Sequence, residues 1–269
     1  MPISLLNNIA SLEAQNQLNQ TSSSLQHTLV ELSSGSRLNS GADDPAGLSI
    51  ADSLHANEAE LSQAANNANT GIGLLQTADG SLGQITNLLD RAITIATEAA
   101  NGGLSTSQLS ALDNEYTSIK AEIDRIGGNT TFNNTNVFTG STTSVFLGSA
   151  ADSIGITISS LSSAALSLTG TDLTSNANAA AALTAINAAV STVAQSRGTI
   201  GATLNRLTAA QNVINNQVTN ITSAENLIRA ANIPQDVTLE AQYSVLEQTG
   251  VAALSQANSA TQNILRLFQ

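Results

Sequence analysis

A mainly α fold is predicted: an antiparallel coiled-coil or helical bundle formed by the N- and C-terminal arms, with a small β-hairpin element in the middle. Leu54, Leu61, Ala68, Leu75, Leu82, Leu89 and Ala96 stand seven residues apart without a slip. Leu183, Val190, Arg197, Leu204, Gln211, Val218 and Glu225 repeat that spacing near the other end. Between the ladders Val145 and Leu147, then Ile154, Ile156 and Ile158, alternate at period two among Gly, Ser and Asp, which is a strand pattern. Each ladder has a companion row: Ala51, Ala65, Ile72 and Ile93 for the first, and Ile186, Val193, Ile200, Leu207, Ile214, Ile221 and Ile228 for the second. Two rows at heptad spacing make the a/d seam along which one helix lies against another. The chain therefore reads as a protein of assembly rather than of chemistry.

From the N-terminus, Leu5, Ile9 and Leu12, then Leu18, Leu25, Leu29 and Leu32, make a helical stripe with one phase break after Leu12. Gly35, Gly41 and the run Asp43-Asp44-Pro45-Ala46-Gly47 interrupt it. Asp44 before Pro45 predicts a new helix start, because a carboxylate caps free amides and a proline at the first helical position has no amide to satisfy. That helix carries the first ladder to about Ala100, where Asn101-Gly102-Gly103 stops it. Its length is on the order of 80 Å, and Gly71, Gly73, Gly80 and Gly83 predict a kink or brief break in its middle. Ser105 with Gln108 reads as a capping box. The helix it opens places Leu109, Leu112, Tyr116, Ile119, Ile123 and Ile126 on one seam and ends at Gly127-Gly128.

The β element fills about 129–175. Helical periodicity resumes near Asn176 and runs to Ile228, and Asn232-Ile233-Pro234 breaks it. A last helix carries Tyr243, Leu254, Ala257, Ile264 and Phe268 on one face. The order is nearly mirror-symmetric about the β element, so the chain folds back with its long helices antiparallel and both termini at one end. There the terminal helices, about 1–35 and 236–269, have only each other. Two thin helices are marginal in water, so they are expected to be disordered in a free monomer and to fold when subunits pack.

Composition removes several functions. One Lys and seven Arg face twenty acidic residues, a net charge of −12, which repels a polyphosphate partner and excludes nucleic-acid binding. With no cysteine, disulfides, thiolate metal sites and Cys nucleophiles are out. No continuous run of about 18 apolar residues is present, so membrane insertion is not expected. Met1–Gln20 lacks the basic region, apolar core and cleavage-like site of a cleaved signal peptide.

Asp43-Asp44 reads as a helix cap rather than a metal or catalytic pair. Gly71-Ile72-Gly73 lacks the preceding strand of a dinucleotide loop. His27 and His55 sit on polar helix faces with nothing to build a triad or zinc site upon. No catalytic, cofactor-binding or metal residues are assigned, no cofactor is expected, and the chain is read as a non-enzyme. The polar residues on the seams, Glu58, Asp79, Thr86, Arg197, Gln211 and Glu225, have two readings. They mark where the seam meets solvent, or they set register and let neighbouring subunits shift between packing states.

The run from Leu32 to Ala51, LSSGSRLNSGADDPAGLSIA, resembles the LSSGxRINSxxDDAAGLAIA signature of bacterial flagellin. Similar matches run through Asn67–Ile72, Leu75–Gly80 and Glu122–Ile126, and Thr131–Asn134 falls where the family has a TxFNG turn. Gln248–Asn258 and Gln262–Leu267 resemble the family's terminal QAGxAxLAQANxxPQxVLxLL. Thr261 stands in place of a Pro, Ala230 and Asn232 in place of acidic residues, and Pro45 in place of an Ala. The family's large surface domains are absent, so the resemblance is to a minimal flagellin, the structural subunit of the swimming filament.

The resemblance implies an inner-tube domain from 1–42 plus 236–269, with Leu5, Ile9, Leu12, Leu25, Leu32, Leu254, Ile264 and Phe268 as its assembly seam. It implies an outer bundle at 43–235, with Leu54, Leu61, Leu75, Leu82, Leu89, Leu183, Val190, Leu204 and Val218 as its seam. Implied partners are further copies of the chain, an export chaperone at the C-terminal segment, the filament cap and the hook–filament junction proteins. Export through the flagellar secretion channel without a cleaved signal is implied as well. Leu89, Arg91, Ile95 and Glu115 lie where many flagellins meet the Toll-like receptor 5 of animal hosts; Asp90, Ile93 and Thr94 depart from that pattern, and ordinary filament contact is the alternative. The Ser/Thr-rich stretch Thr139–Ser175 offers candidate O-glycosylation positions. The rival within the same architecture is a hook–filament junction protein. From other classes, a hydrolase has nothing to build on in the central segment, while an adhesive surface stays open.

Overall fold

The computed structural model describes residues 8–148 and 152–267, and side chains as far as Ala260 at the C-terminal end. Among them lie the helices α1 (Ile9–Ser34), α2 (Pro45–Ala99), α3 (Thr106–Asn129), α4 (Asn176–Arg229) and α5 (Ile233–Leu267). Between α3 and α4 come β1 (Thr131–Phe132), β2 (Thr135–Asn136), β3 (Thr142–Phe146) and β4 (Ser153–Thr157). This is the mainly α class with central hairpins that the sequence predicts. The chain forms two compact units, Met1–Asn57 with Asn220–Gln269, and Glu58–Thr219.

Helix ends follow local chemistry. The Asp44 carboxylate accepts the amides of Ala46 and Gly47 at 3.1 and 2.9 Å, capping α2 immediately before Pro45. Ser105 and Gln108 form the reciprocal capping box at the start of α3. α1 stops at Gly35, whose left-handed φ of 67° turns its amide back to the Glu31 carbonyl at 2.8 Å.

α2 runs from Pro45 to Ala99 without the break its glycines predict. Gly71 is buried, and a Cβ there would meet Val145 Cγ2 at 2.8 Å and Leu207 Cδ1 at 3.3 Å. The missing side chain lets the β3–β4 hairpin and α4 close on the helix, and that packing offsets the weak propensity of glycine. Gly80 and Gly83 meet nothing within 4 Å. Their cost of about 1 kcal/mol each is carried by a 55-residue helix buried along one face.

In the Glu58–Thr219 unit, α2 and α4 run antiparallel. Asn176 Nδ2 donates to the Ala99 carbonyl at 3.3 Å, Arg197 pairs with Asp79 at 2.9 Å, and Gln211 donates to Asn69 at 2.6 Å. α3 returns along α2, with Arg91 against Glu115 and Ser81 against Thr130. β3 and β4 pair antiparallel with Val145 opposite Ile154, and Val145, Ile154 and Ile156 turn inward while their neighbours face out. The segment after β4 is irregular yet packed: Leu161, Leu166, Leu168 and Leu173 are buried. Asp124 accepts the Ser163 amide and hydroxyl at 2.7 and 2.8 Å, Asp113 accepts the Leu173 amide at 2.8 Å, and Lys120 donates to the Thr171 carbonyl at 2.7 Å.

By length and composition α4 is apolar enough to cross a membrane, with a window of mean hydropathy 1.3. Its many alanines raise that average without any continuous run of large apolar residues. Ala179, Ala182, Ile186, Ala189 and Val193 in this stretch face the protein core.

Gly127 and Gly83 separate the two roles of helical glycine. A Cβ on Gly127 would fall 1.8 Å from the Leu161 carbonyl oxygen, whereas one on Gly83 meets nothing. Gly127→Ala is expected to destabilise the fold by about 1–3 kcal/mol through forced displacement of that backbone. Gly83→Ala should stabilise it by up to ~1 kcal/mol. Thermal unfolding of both variants, followed by circular dichroism, checks the opposite signs.

Candidate assembly surfaces

The buried face of α2 repeats every seven residues in two rows. Ala68, Leu75, Leu82, Leu89 and Ala96 form one, and Ala64, Ala78, Ile85, Ala92 and Ala99 with Gly71 form the other. Across from it, α4 buries Ala179, Ile186, Val193, Ile200, Leu207 and Ile214, flanked by Ala182, Ala189 and Thr203. Of the proposed bundle seam, Leu75, Leu82 and Leu89 lie at the centre of the core. Leu61, Leu183, Val190, Leu204 and Val218 are half-buried at its margins, and Leu54, in the other unit, is half-buried as well. Each fully buried leucine contributes roughly 1.5–3 kcal/mol relative to exposure.

The terminal pair is different. α1 and α5 pack antiparallel: Asn8 Nδ2 donates to the Ala257 carbonyl at 3.1 Å, Ser11 Oγ to Asn258 at 2.9 Å, and Ser36 bridges Ala230 at the far end. The contact is close because it is made of small residues. A Cβ on Gly250 would sit 3.1 Å from Leu18 Cδ1. Thr21 and Thr28 are buried and return their hydroxyls to the Gln17 and Ser24 carbonyls at 2.9 and 3.1 Å.

Of the proposed inner-tube seam, Leu25, Leu32 and Leu254 are half-buried, while Ile9 and Leu12 are 59% and 61% exposed. Leu5 and Phe268 lie outside the described residues, as does the side chain of Ile264. Further large apolar residues face outward, Leu29 and Val30 on α1 and Val237, Val245, Leu246 and Val251 on α5. These two helices thus meet along a narrow strip and leave most of their large apolar side chains uncovered.

Charge is sparse and locally paired. Arg229 donates to Asp52 at 2.7 Å and lies 3.4 Å from Glu225, which is 3.6 Å from His55. An arginine beside these acids supplies the positive charge that a cation would otherwise bring. Asp236 is buried in the first turn of α5, with one carboxylate oxygen lacking a hydrogen-bond partner among the described residues. The positive end of the helix axis lies there and offsets part of the cost. The start of the loop after α1 is tied to the α4–α5 junction, with the Arg37 amide on the Arg229 carbonyl at 2.7 Å and the Ala231 amide on the Gly35 carbonyl at 3.0 Å.

Residues 5–143 match the bacterial flagellin N-terminal helical region and residues 183–268 match its C-terminal helical region. The flagellin of Halalkalibacterium halodurans is similar throughout, 30% identical over 267 residues that cover 97% of this chain and 98% of that protein. The chain belongs to the bacterial flagellin family. The crystal structure of Bacillus cereus flagellin is similar at 32% identity with a TM-score of 0.50, covering 60% of this chain and 94% of that one. A putative flagellar hook-associated protein from Vibrio parahaemolyticus covers 70% of this chain and 99% of its own, with a TM-score of 0.60. At 15% identity it shares the fold alone and does not favour the hook–filament junction alternative. As a flagellin, the chain is a structural subunit that self-assembles into the extracellular filament of the bacterial flagellum.

Within this flagellin, Leu89, Arg91, Ile95 and Glu115, the positions that the resemblance connects with a host receptor, do not share one surface. Leu89 and Ile95 are fully buried in the bundle, facing away from any partner of the folded subunit. Arg91 and Glu115 are outside, paired at 2.6 Å, and the arginine holds the Glu115 carboxyl below the usual range. The row of Ala64, Gly71, Ala78, Ala92 and Ala99 was the least visible in sequence. Its spacing is strict, but alanine is apolar enough to pack and common enough in any helix to carry little signal. Arg197 and Asp79, on the ladders' polar positions, make a two-pronged ion pair at 2.9 and 3.3 Å.

Those two side chains are 42% and 40% exposed, so solvent screens their attraction. Arg197→Leu is expected to leave thermal stability within ~1 kcal/mol and to change filament shape. Melting curves and electron micrographs of the repolymerised protein check both halves; an unchanged shape counts against a role in register.

Proposed function

We propose that this flagellin polymerises chiefly through its terminal helices, α1 and α5, and that the bundle serves as the outer wall which stiffens the filament. The observation that carries this reading is the contrast in burial. The Glu58–Thr219 bundle covers its leucines and isoleucines within one subunit, whereas α1 and α5 leave Ile9, Leu12, Leu29, Val30, Val245 and Val251 uncovered, and Ile50 and Leu227 beside them in that unit are exposed too. Helices with so little internal burial gain theirs from neighbouring copies. In this reading 1–42 and 236–269 form the inner tube and 43–235 the outer domain. The same exposed apolar surface is what an export chaperone at the C-terminal segment would shield before secretion, and what docks beneath the filament cap and onto the junction proteins. Secretion proceeds through the flagellar channel.

The reading assigns no enzymatic activity. The sequence has no cysteine, and both histidines stand beside carboxylates. Where a Toll-like receptor meets this flagellin, the outward pair Arg91 and Glu115 is the part within reach.

Leu12→Asp is expected to abolish filament growth in a seeded polymerisation assay while leaving the bundle's thermal transition unchanged. Filaments forming at the wild-type rate would move the assembly contact elsewhere. In a receptor reporter assay on monomer, Arg91→Ala should lower the response; an undiminished response assigns the pair to filament contact.

A further inference from the structure

We propose that His27, clamped between Glu31 and Asp43, is a protonation-controlled latch that fixes how the loop of residues 35–44 leaves α1. His27 Nε2 lies 3.1 Å from Asp43 Oδ1, and Nδ1 lies 3.5 Å from Glu31 Oε2. A neutral imidazole has one N–H and can satisfy only one of these carboxylates, leaving a lone pair aimed at the other. The imidazolium has two donors and satisfies both. Its ring is half-exposed, whereas the two carboxylates are largely covered, so proton exchange with solvent is open while the acceptors stay in place.

Asp43 gives the contact its leverage. Its Oδ2 accepts the amides of Asn39 and Ser40 at 2.9 and 2.8 Å, and its Oδ1 accepts the Ser40 hydroxyl at 2.9 Å. One carboxylate therefore closes the 39–43 turn and, through His27, ties that turn to α1. Nearby charges are engaged elsewhere. Asp44 caps α2, and Arg37 donates to the Ile228 carbonyl at 2.9 Å. On α5, packed along α1, the charged groups with described side chains are Asp236, Glu240 and Glu247. All are acidic, and the ion pairs of His27 are with Glu31 and Asp43.

The direction with pH follows. The hydrogen bond to Asp43, assisted by the charges of Glu31 and Asp43 and opposed by partial burial, raises the imidazole above its ordinary 6.5. The latch is fully engaged below 6.5 and is lost as pH rises through that raised value. On the acid side, His27 first and then the Ser40 and Asn39 amides hold the Asp43 carboxyl well below the usual carboxylate range. Only strong acid opens the latch from that direction.

The test uses the full-length chain labelled with ¹⁵N-histidine, both monomeric and polymerised, and follows its imidazole nitrogens by NMR from mildly acidic to mildly alkaline pH. His27→Gln assigns the signal, and His55 serves as the second imidazole. The expected result is a His27 midpoint above 6.5 that Asp43→Asn lowers. Amide-exchange protection of Asn39 and Ser40 falls as His27 loses its proton in the wild type, and shows no such step in His27→Gln. If Asp43→Asn does not fold, Glu31→Gln supplies a second variant that lowers the midpoint by less. A His27 midpoint at or below 6.5, or one that both variants leave unmoved, overturns the latch. So does a protection step that persists without the histidine.

Discussion

The constraint on which the Glu58–Thr219 unit depends is the seven-residue repeat along the buried face of α2. Because one of its two rows is mostly alanine with Gly71, other elements come close to this helix. The β3–β4 hairpin presses Val145 and Ile156 toward the gap at Gly71, and α4 presses Leu207 there from another side. The leucine row supplies the bulk that these approaches enclose. Small residues set the distances and branched residues fill the volume, which is how a chain with 2% aromatics builds a dense core.

The irregular segment after β4 depends on the same core from outside. Its leucines are buried, and beside its internal turns three of its main-chain groups bond α3 side chains, those of Asp113, Lys120 and Asp124. Tyr116, fully buried, bonds Thr171 at 2.7 Å, and that burial pushes its phenol up in pKa. A stretch that the sequence assigns to the β element is, past Thr157, an irregular but fitted cover for α3. Gly127, with the Leu161 carbonyl against it, marks how closely the cover sits.

The unit built from the chain ends obeys a different balance. α1 and α5 gain close backbone approach from Thr, Ser, Ala and Gly but little apolar burial, and many of their larger side chains are exposed. A polymer resolves that imbalance, since each added copy covers surface that one subunit cannot. Capping and loop chemistry remain strict even here. Gly35, Asp43 and Asp44 hold the turn between α1 and α2 by backbone hydrogen bonds that need no neighbour.

Periodicity and capping are local properties, so the sequence by itself determined the helices, their starts at Asp44-Pro45 and Ser105, the strands around Val145 and around Ile154 and Ile156, and the family through its signature runs. Which notch of each helix faces inward was not local. On α4 the Ile186 row took the centre and the Leu183 row the margin, because the depth of a heptad position depends on how many helices surround it. The α2 glycines likewise predicted a break that packing removed, since a missing Cβ costs little where another element needs its space. Ile9 and Leu12, before the phase break in the α1 stripe, are exposed, whereas Leu25 and Leu32 after it are half-buried. The strip between two antiparallel helices is narrower than an amphipathic face, and only the tertiary structure decides which part of that face it uses.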